Sequence, residues 1–370
     1  MTRTVVLAGT SGYGATYVRE IAQLEARGSV RLVGLCDVRP LDSAVSRQFG
    51  DRPFDSRLDH LLAATCPDLA IVAGPIHTHL PLGRQVLSAD CHLLLEKPPA
   101  SSAAEWREVL TLARQKSLSC QVGFQSLGSR AYSRLAELIA TGRLGSVRGI
   151  GCYGAWSRDA AYYQRADWAG RRYLDGVPVA DGALTNPFAH AVATALALDH
   201  STGWDDITDI DTELLRVRDI EADDTSCLRL RTRHNTVITV AVTLAAQTPL
   251  EPVIVVHGTR GRAELHYTRD LLVVDGQPEH HGRISPLENL LAHLDDGAPL
   301  QCDIAECGAF TRVLEHVNAA PAPRLISERW LAHEGDGSEE RIHIPGIEQA
   351  VRASAEQLAT FSGLGEPWAL

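Results

Sequence analysis

Lysine is nearly missing from this chain: of 35 basic residues only Lys97 and Lys116 are lysines, and the rest are arginines. Such a bias fits a GC-rich coding preference that uses arginine wherever a positive charge is enough. A lysine kept against that bias is a candidate for chemistry in which a proton must be released, which arginine does not practically do. Long apolar runs are missing too. No stretch of 18 or more apolar residues reads as a membrane span. The opening Met-Thr-Arg-Thr-Val-Val turns straight into a strand-like run and carries no signal-peptide pattern. The eight cysteines form no CxxC pair and no metal-type grouping. The expectation is therefore free thiols in a reducing cytoplasm and no bound metal. Basic surface is also short, since the formal charge is −11. That balance disfavours a nucleic-acid partner, whose phosphates need a positive face. With 370 residues, the chain has material for two domains with sizeable cores.

What is present begins at the first residues. Thr4-Val5-Val6-Leu7-Ala8 reads as a buried strand, Gly9-Thr10-Ser11-Gly12-Tyr13-Gly14 as a tight turn, and Val18, Ile21 and Ala22 as one face of a helix. Strand, glycine turn and helix together form a dinucleotide cradle, because glycine admits a close pyrophosphate and the helix start favours its charge. In the G-x-G-x-x-G register the positions are Gly9, Ser11 and Gly14, so a serine holds the middle place with Gly12 beside it. A second strand-like run, Val30 to Cys36, ends in Asp37, about 20 residues past the loop, where an acid bonds the adenosine ribose hydroxyls. Asp37 favours NAD, since it would repel a 2′-phosphate; Arg39, two residues on, leaves NADP open.

Helical patterns over 41–49, 58–64, 80–88 and 103–116 alternate with strand patterns over 68–73, 92–95 and 119–122. That alternation predicts a doubly wound parallel sheet over 1–122, an α/β Rossmann domain with ligands at the strands' carboxyl ends. Lys97 follows such an end, on the same side as the glycine loop.

After residue 123 the pattern changes. A helix over 132–141 precedes strands at 147–155, 213–217, 226–231, 237–243, 253–256, 263–267 and 271–274, which have no helices between most of them. The alternation in Thr236-Val237-Ile238-Thr239-Val240-Ala241-Val242 predicts a sheet with one wet face. Residues 123–370 are expected to form a second, α+β domain for substrate and oligomer contacts. Between Trp156 and Tyr173 lie four arginines and five aromatics without a helix or strand period. Such a surface suits polyols, with aromatic faces on C–H bonds and guanidinium forks on hydroxyls or a carboxylate. Arg158, Tyr163, Arg165, Trp168 and Arg171 are its candidate substrate contacts; a surface or subunit-contact loop is the alternative.

Gly9 to Gly14, Asp37, Pro75-x-x-x-His79 and above all Glu96-Lys97-Pro98 resemble the glucose-fructose oxidoreductase / inositol dehydrogenase family of nicotinamide-dependent oxidoreductases. The likeness continues through Gly142-Arg143-Leu144-Gly145-Ser146-Val147, Gly182-Ala183-Leu184-x-Asn186-x-x-x-His190 and Gly258-Thr259-Arg260-Gly261. The resemblance implies an open, mostly antiparallel second sheet, often used for subunit contacts, and hence a homo-oligomer, dimer or tetramer. It also places Gly9, Ser11, Gly12, Tyr13, Gly14, Asp37, Arg39, Pro75, His79, Glu96 and Lys97 around the cofactor. Family members carry Asp and His where this chain has Asn186 and His190, and these surround the reacting carbinol with the Glu-Lys-Pro lysine. Asn186 and His190, four apart on an expected helix, would share one face. An asparagine orients a hydroxyl but does not accept its proton, which leaves Lys97 or His190; Lys97 is the expected general acid/base, its pKa lowered by burial beside the nicotinamide. The implied activity is hydride transfer between NAD and a sugar, sugar derivative or cyclitol, in the cytoplasm. Two alternatives stay open: redox-neutral glycoside cleavage through transient oxidation, and a dinucleotide-binding sensor without turnover.

Overall fold

A computed structural model describes residues 2–370. The chain divides into two compact units, Met1–Phe124 with Ser285–Ala305, and Gln125–Ile284 with Glu306–Leu370. The second stretch is interrupted, because 285–305 returns to the first unit.

The first unit is a six-stranded sheet in the order β3-β2-β1-β4-β5-β6 with every pairing parallel. Its elements run β1 (Arg3–Ala8), α1 (Gly14–Ala26), β2 (Val30–Cys36), α2 (Ser43–Phe49), β3 (Phe54–Asp55), α3 (Leu58–Thr65), β4 (Leu69–Val72), α4 (His79–Ser88), β5 (His92–Leu95), α5 (Ala103–Lys116) and β6 (Cys120–Val122). Two residues make the whole of β3, too short for any periodicity to show. The central strands are apolar throughout because helices cover both faces: Val5, Val6, Leu7, Ala70 and Ile71 are fully buried. The returning segment supplies the helix Pro286–Asp296, opened by a capping box between Ser285 and Glu288. Its Leu287, Leu290 and Leu291 enter the same core as Val5, Leu7 and Ile21.

In the second unit nine strands form one mixed sheet. Six of its pairings are antiparallel; Val147–Ser157 beside Val237–Thr243, and Ile207–Arg216 beside Arg324–Leu325, are parallel. The central strand β7 (Val147–Ser157) carries glycines toward both sides. A Cβ on Gly154 would come within 2.5 Å of the Phe188 ring, ahead of the helix Ala189–Leu198. A Cβ on Gly151 would come within 1.9 Å of the Ala355 carbonyl, on the helix Ile347–Gln357. Each glycine thus lets a helix settle against the strand more closely than any side chain allows.

The wet face expected from Thr236 to Val242 is corrected by this packing. Thr239 and Thr243 are fully buried, because the helix Ile347–Gln357 lies over that side of the central strands, with Val351 and Ala355 in one core with Ala241 and Tyr153. The His257 ring bonds the Ala355 carbonyl at 3.0 Å and the Arg229 guanidinium donates to the Leu358 carbonyl at 3.1 Å. Thr243 satisfies its hydroxyl across strands against Thr225 at 2.8 Å, whereas the buried Thr239 hydroxyl has no hydrogen-bond partner among the described residues. Among the described residues no helix is long and apolar enough to cross a membrane.

Replacing Gly151 with Ala forces the helix Ile347–Gln357 away from the sheet. The expected cost is about 1–3 kcal/mol, in the range of overpacked cores, read as a shift in the urea midpoint; an unchanged midpoint would show that the helix slides freely.

Candidate functional site

The glycine loop of the first unit is shaped by backbone approach. A Cβ on Gly14 would lie 2.1 Å from the Gly9 carbonyl oxygen, and one on Gly9, at φ +90°, would lie 2.8 Å from the Ala73 backbone. Gly12, at φ +57°, faces open space. The α1 start has no side-chain cap and no acid in its first turn, so its exposed dipole end suits an anion. Ser11, in the place of the motif's middle glycine, accepts a hydrogen bond from the Arg39 guanidinium. Tyr13 precedes α1 and stacks edge-on against Tyr17, with centroids 5.8 Å apart.

Asp37 closes the loop from the end of β2. Its Oδ2 accepts from the Thr10 amide and the Thr10 hydroxyl, both at 2.9 Å, and its Oδ1 accepts from the Arg39 amide at 3.1 Å. Burial opposes its ionisation, but the donors on Thr10 and Arg39 outweigh that and hold the carboxyl below the usual range. The donor set fits a dinucleotide: a cradle that side chains would fill, a bare helix start and an ionised acid at the second strand's end.

The Glu96-Lys97 step ends β5 in the same unit. The Tyr17 hydroxyl donates to Glu96 Oε1 at 2.6 Å, and the Lys97 amide donates to Oε2 at 3.1 Å. Burial raises the Glu96 pKa against these contacts. The neighbouring β6 end must be glycine, since a Cβ on Gly123 would sit 2.4 Å from Glu96 Oε1. Lys97 itself is half-buried. His79 is placed as a pin rather than as a reaching ligand. It is 1% exposed, with Nδ1 on the Pro98 carbonyl at 2.7 Å and Nε2 on the Gly74 carbonyl at 2.9 Å. Burial pushes its pKa down to about 4, so at neutral pH the ring is uncharged and donates to one of the two. Pro75 is exposed in the turn that His79 holds, and its carbonyl accepts from the Thr78 amide and hydroxyl.

The second unit gathers the remaining candidates, with one correction. Asn186 and His190 do not share a helix: Asn186 sits in the turn before the helix Ala189–Leu198, and only His190 lies in it. The reason is local. Asn186 and Thr185 both close back on the Gly182 carbonyl, and Pro187 follows, so the first helical bonds start later. The Asn186 amide donates to Asp181 Oδ1 at 2.6 Å. His190 Nδ1 faces the Ser126 hydroxyl at 3.4 Å, and that hydroxyl accepts from Thr194 at 2.8 Å.

The arginine–aromatic segment is more ordered than its composition suggests. Asp159 caps a one-turn helix, Ala160–Tyr163, and a hairpin pairs Tyr173–Leu174 with Val177–Pro178. Arg165 binds both oxygens of the nearly buried Asp181, at 3.1 and 2.9 Å. It also stacks on Tyr162 and Trp168, at 3.8 and 4.6 Å from the ring centroids. Its charge is therefore engaged inside the protein. Arg158 stacks on Trp156 and Tyr162, 5.1 and 4.9 Å away, and among the described residues it pairs with no carboxylate. Tyr163 packs against Gly170, Arg171 is exposed, and Arg172 clamps the carbonyls of Val317, Asn318 and Ala320. Asp181 is the residue that sequence reasoning missed. A lone acid five positions before Asn186 gives no periodic signal; only the folded turn brings it to the amide.

Residues 3–124 match the oxidoreductase family with an NAD-binding Rossmann fold, and residues 132–264 match the GFO/IDH/MocA C-terminal domain; the chain belongs to that family. A D-glucoside 3-dehydrogenase of Escherichia coli is 28% identical over 122 residues, 33% of this chain and 35% of the relative. A dTDP-3,4-didehydro-2,6-dideoxy-alpha-D-glucose 3-reductase of Streptomyces violaceoruber is 31% identical over 92 residues, 25% of this chain and 27% of the relative. The matched stretches thus span about a third or less of these curated relatives. Among solved structures, the WlbA dehydrogenase of Bordetella pertussis in complex with NADH and UDP-GlcNAcA shares the fold with a TM-score of 0.72 and 23% identity, over 86% of this chain and 95% of that one. A levoglucosan dehydrogenase in complex with NADH has a TM-score of 0.73 at 16% identity, over 86% and 96%.

Tyr17→Phe removes the neutral donor from buried Glu96. A loss of about 1–3 kcal/mol is expected for a buried acceptor left short of a partner. The loss should grow with pH: without Tyr17 the folded-state pKa of Glu96, already above its unfolded value, rises further, so stability falls as pH climbs from the unfolded value through the folded one. Chemical denaturation across that window, compared with the unmodified protein, checks the slope.

Proposed function

We propose that this chain is an NAD-dependent oxidoreductase that removes a hydride and a proton from a carbinol of a sugar, sugar derivative or cyclitol, or returns them to the ketone. The observation that carries the reading is the strand end at Glu96-Lys97. Its buried carboxylate is tied to Tyr17 of the glycine-loop helix, so the amine-bearing residue and the dinucleotide cradle are built on one scaffold. The names of the curated relatives, a glucoside dehydrogenase and a deoxysugar reductase, support a sugar as the substrate.

Gly9, Gly12 and Gly14 would hold the pyrophosphate, Asp37 the adenosine ribose, and Arg39 the rim beside it. When bound, NAD supplies the hydride acceptor or donor for the carbinol carbon. Lys97 takes the hydroxyl proton during oxidation and returns it during reduction. His190 is less suited to that step. With Thr194 donating to Ser126, the Ser126 proton is directed to His190 Nδ1, which leaves the ring's own proton on Nε2. So held, the histidine would present Nε2–H to a substrate oxygen. Asn186 orients a hydroxyl, and Arg158, stacked on two rings and without a carboxylate partner among the described residues, is the loop's candidate for an acidic or hydroxyl group of the substrate.

A screen of sugars, sugar acids and inositols with NAD and NADP, followed by absorbance of the reduced nicotinamide, tests the reading. Bond cleavage without net change in that absorbance would move it to redox-neutral glycoside cleavage. NAD should bind more tightly than NADP in calorimetric titration. Asp37→Ala should narrow the gap and also lower the melting temperature, because Thr10 loses both of its bonds. Equal binding by the unmodified protein would make Arg39 the selector.

Lys97→Ala and Lys97→Arg should each lose at least about a hundredfold in kcat, the usual scale of acid–base catalysis, with NAD affinity kept. Near-normal kcat in Lys97→Arg would show that only charge is needed and would pass the proton to His190.

A further inference from the structure

Asn186 cannot be understood alone, because what its amide presents depends on what holds it. Its Nδ2 donates to Asp181 Oδ1 at 2.6 Å. An ionised carboxylate only accepts, so this contact decides which end of the amide is nitrogen. The same carboxylate receives Arg165 on both oxygens and the Gly170 amide at 2.8 Å, and Asp181 is 5% exposed. Four charge-assisted bonds converge on one buried acid, from the turn on one side and the arginine–aromatic loop on the other.

Resting on the dehydrogenase reading above, we infer that Asp181 is a positioning residue for the reaction: it locks the Asn186 amide with Oδ1 as the acceptor end and ties that orientation to the loop bearing Arg165. Donation into a carboxylate polarises the amide, which makes Oδ1 a better acceptor for a substrate hydroxyl than a freely rotating asparagine would be. Both elements are set by one residue, so the loop and the amide move together. An arrangement with Oδ1 turned toward Asp181 would bring two acceptors together and is excluded by repulsion.

The pair is tested by exchange. Asn186→Asp alone sets two carboxylates against each other and should lower stability in urea. Asp181→Asn alone removes the charge that orients the amide, and kcat should fall about tenfold to a hundredfold, the scale of a hydrogen bond to a charged group. In the double variant Asp181→Asn with Asn186→Asp the amide and the acid trade places across the same bond. Its stability should exceed that expected from adding the two single losses, and kcat should recover above Asn186→Asp. Arg165→Ala, which removes the loop's ion pair while keeping the Asp181–Gly170 and Asp181–Asn186 bonds, should act mainly on KM, a split that a purely structural Asp181 would not produce. Strict additivity in both stability and kcat would overturn the inference. If the unmodified protein oxidises no sugar or cyclitol, the dehydrogenase reading fails; the stability cycle still reports whether the two residues are coupled.

Discussion

Two backbones meeting closer than a methyl group permits is the constraint on which the first unit depends. Gly14 lies against the Gly9 carbonyl, and Gly9 against Ala73, so β1, the start of α1 and the end of β4 converge at one point. From there the rest follows by short bonds. Thr10 hands its amide and hydroxyl to Asp37, fixing the end of β2. Tyr17, one turn into α1, reaches Glu96 at the end of β5, and Glu96 in turn leaves room only for glycine at 123. His79 closes the set by standing between the Gly74 and Pro98 carbonyls. A substitution at any of these positions is therefore felt at the strand ends where Lys97 and the loop stand.

In the second unit the same device recurs with helices instead of a turn. Gly151 and Gly154 of β7 point to opposite faces, and each admits a helix. The helix Ile347–Gln357 covers the centre of one face, its Val351 and Ala355 sharing a core with Ala241 and Tyr153. On the opposite face the Phe188 ring packs on Trp156 with centroids 4.4 Å apart, and Trp156 carries Arg158 above it. The turn that bears Asn186 is thus joined to the arginine–aromatic loop twice, by ring stacking and by Asp181.

How much of this was legible follows the range of the interactions. The alternation over 1–122, the glycine turn and the strand end at Lys97 rest on local patterns, and they fold where those patterns put them. The helix Pro286–Asp296 also has a local signal, the Ser285–Glu288 box, but nothing in a capping box says which core its leucines will enter. The threonines at 239 and 243 mislead for a related reason: alternation reports two different faces, and a face is wet only if no later segment covers it. Asp181 is the hardest case. Its partners Arg165, Gly170 and Asn186 are spread over 21 positions with no shared period, and only the turn and loop conformations bring them to one carboxylate.

The scarcity of lysine also reads differently once both lysines are placed. Lys116 bonds Asp90 at 2.7 Å on the surface and reaches toward the Ser88 carbonyl, a task that arginine performs elsewhere in the chain, as Arg3 does for Asp295. Rarity alone therefore does not mark a lysine for proton transfer. What separates Lys97 from Lys116 is location: a half-buried position following a parallel strand, next to a buried carboxylate that is already engaged by Tyr17 and by the Lys97 amide itself. The guanidinium of Arg165, by contrast, is consumed by Asp181, and that of Arg172 by three carbonyls. Arginine here does the fixed pairing, for which a permanent charge and a planar fork are suited. An amine whose proton can leave is useful only where a proton must move, and the case for Lys97 stands on its place in the fold.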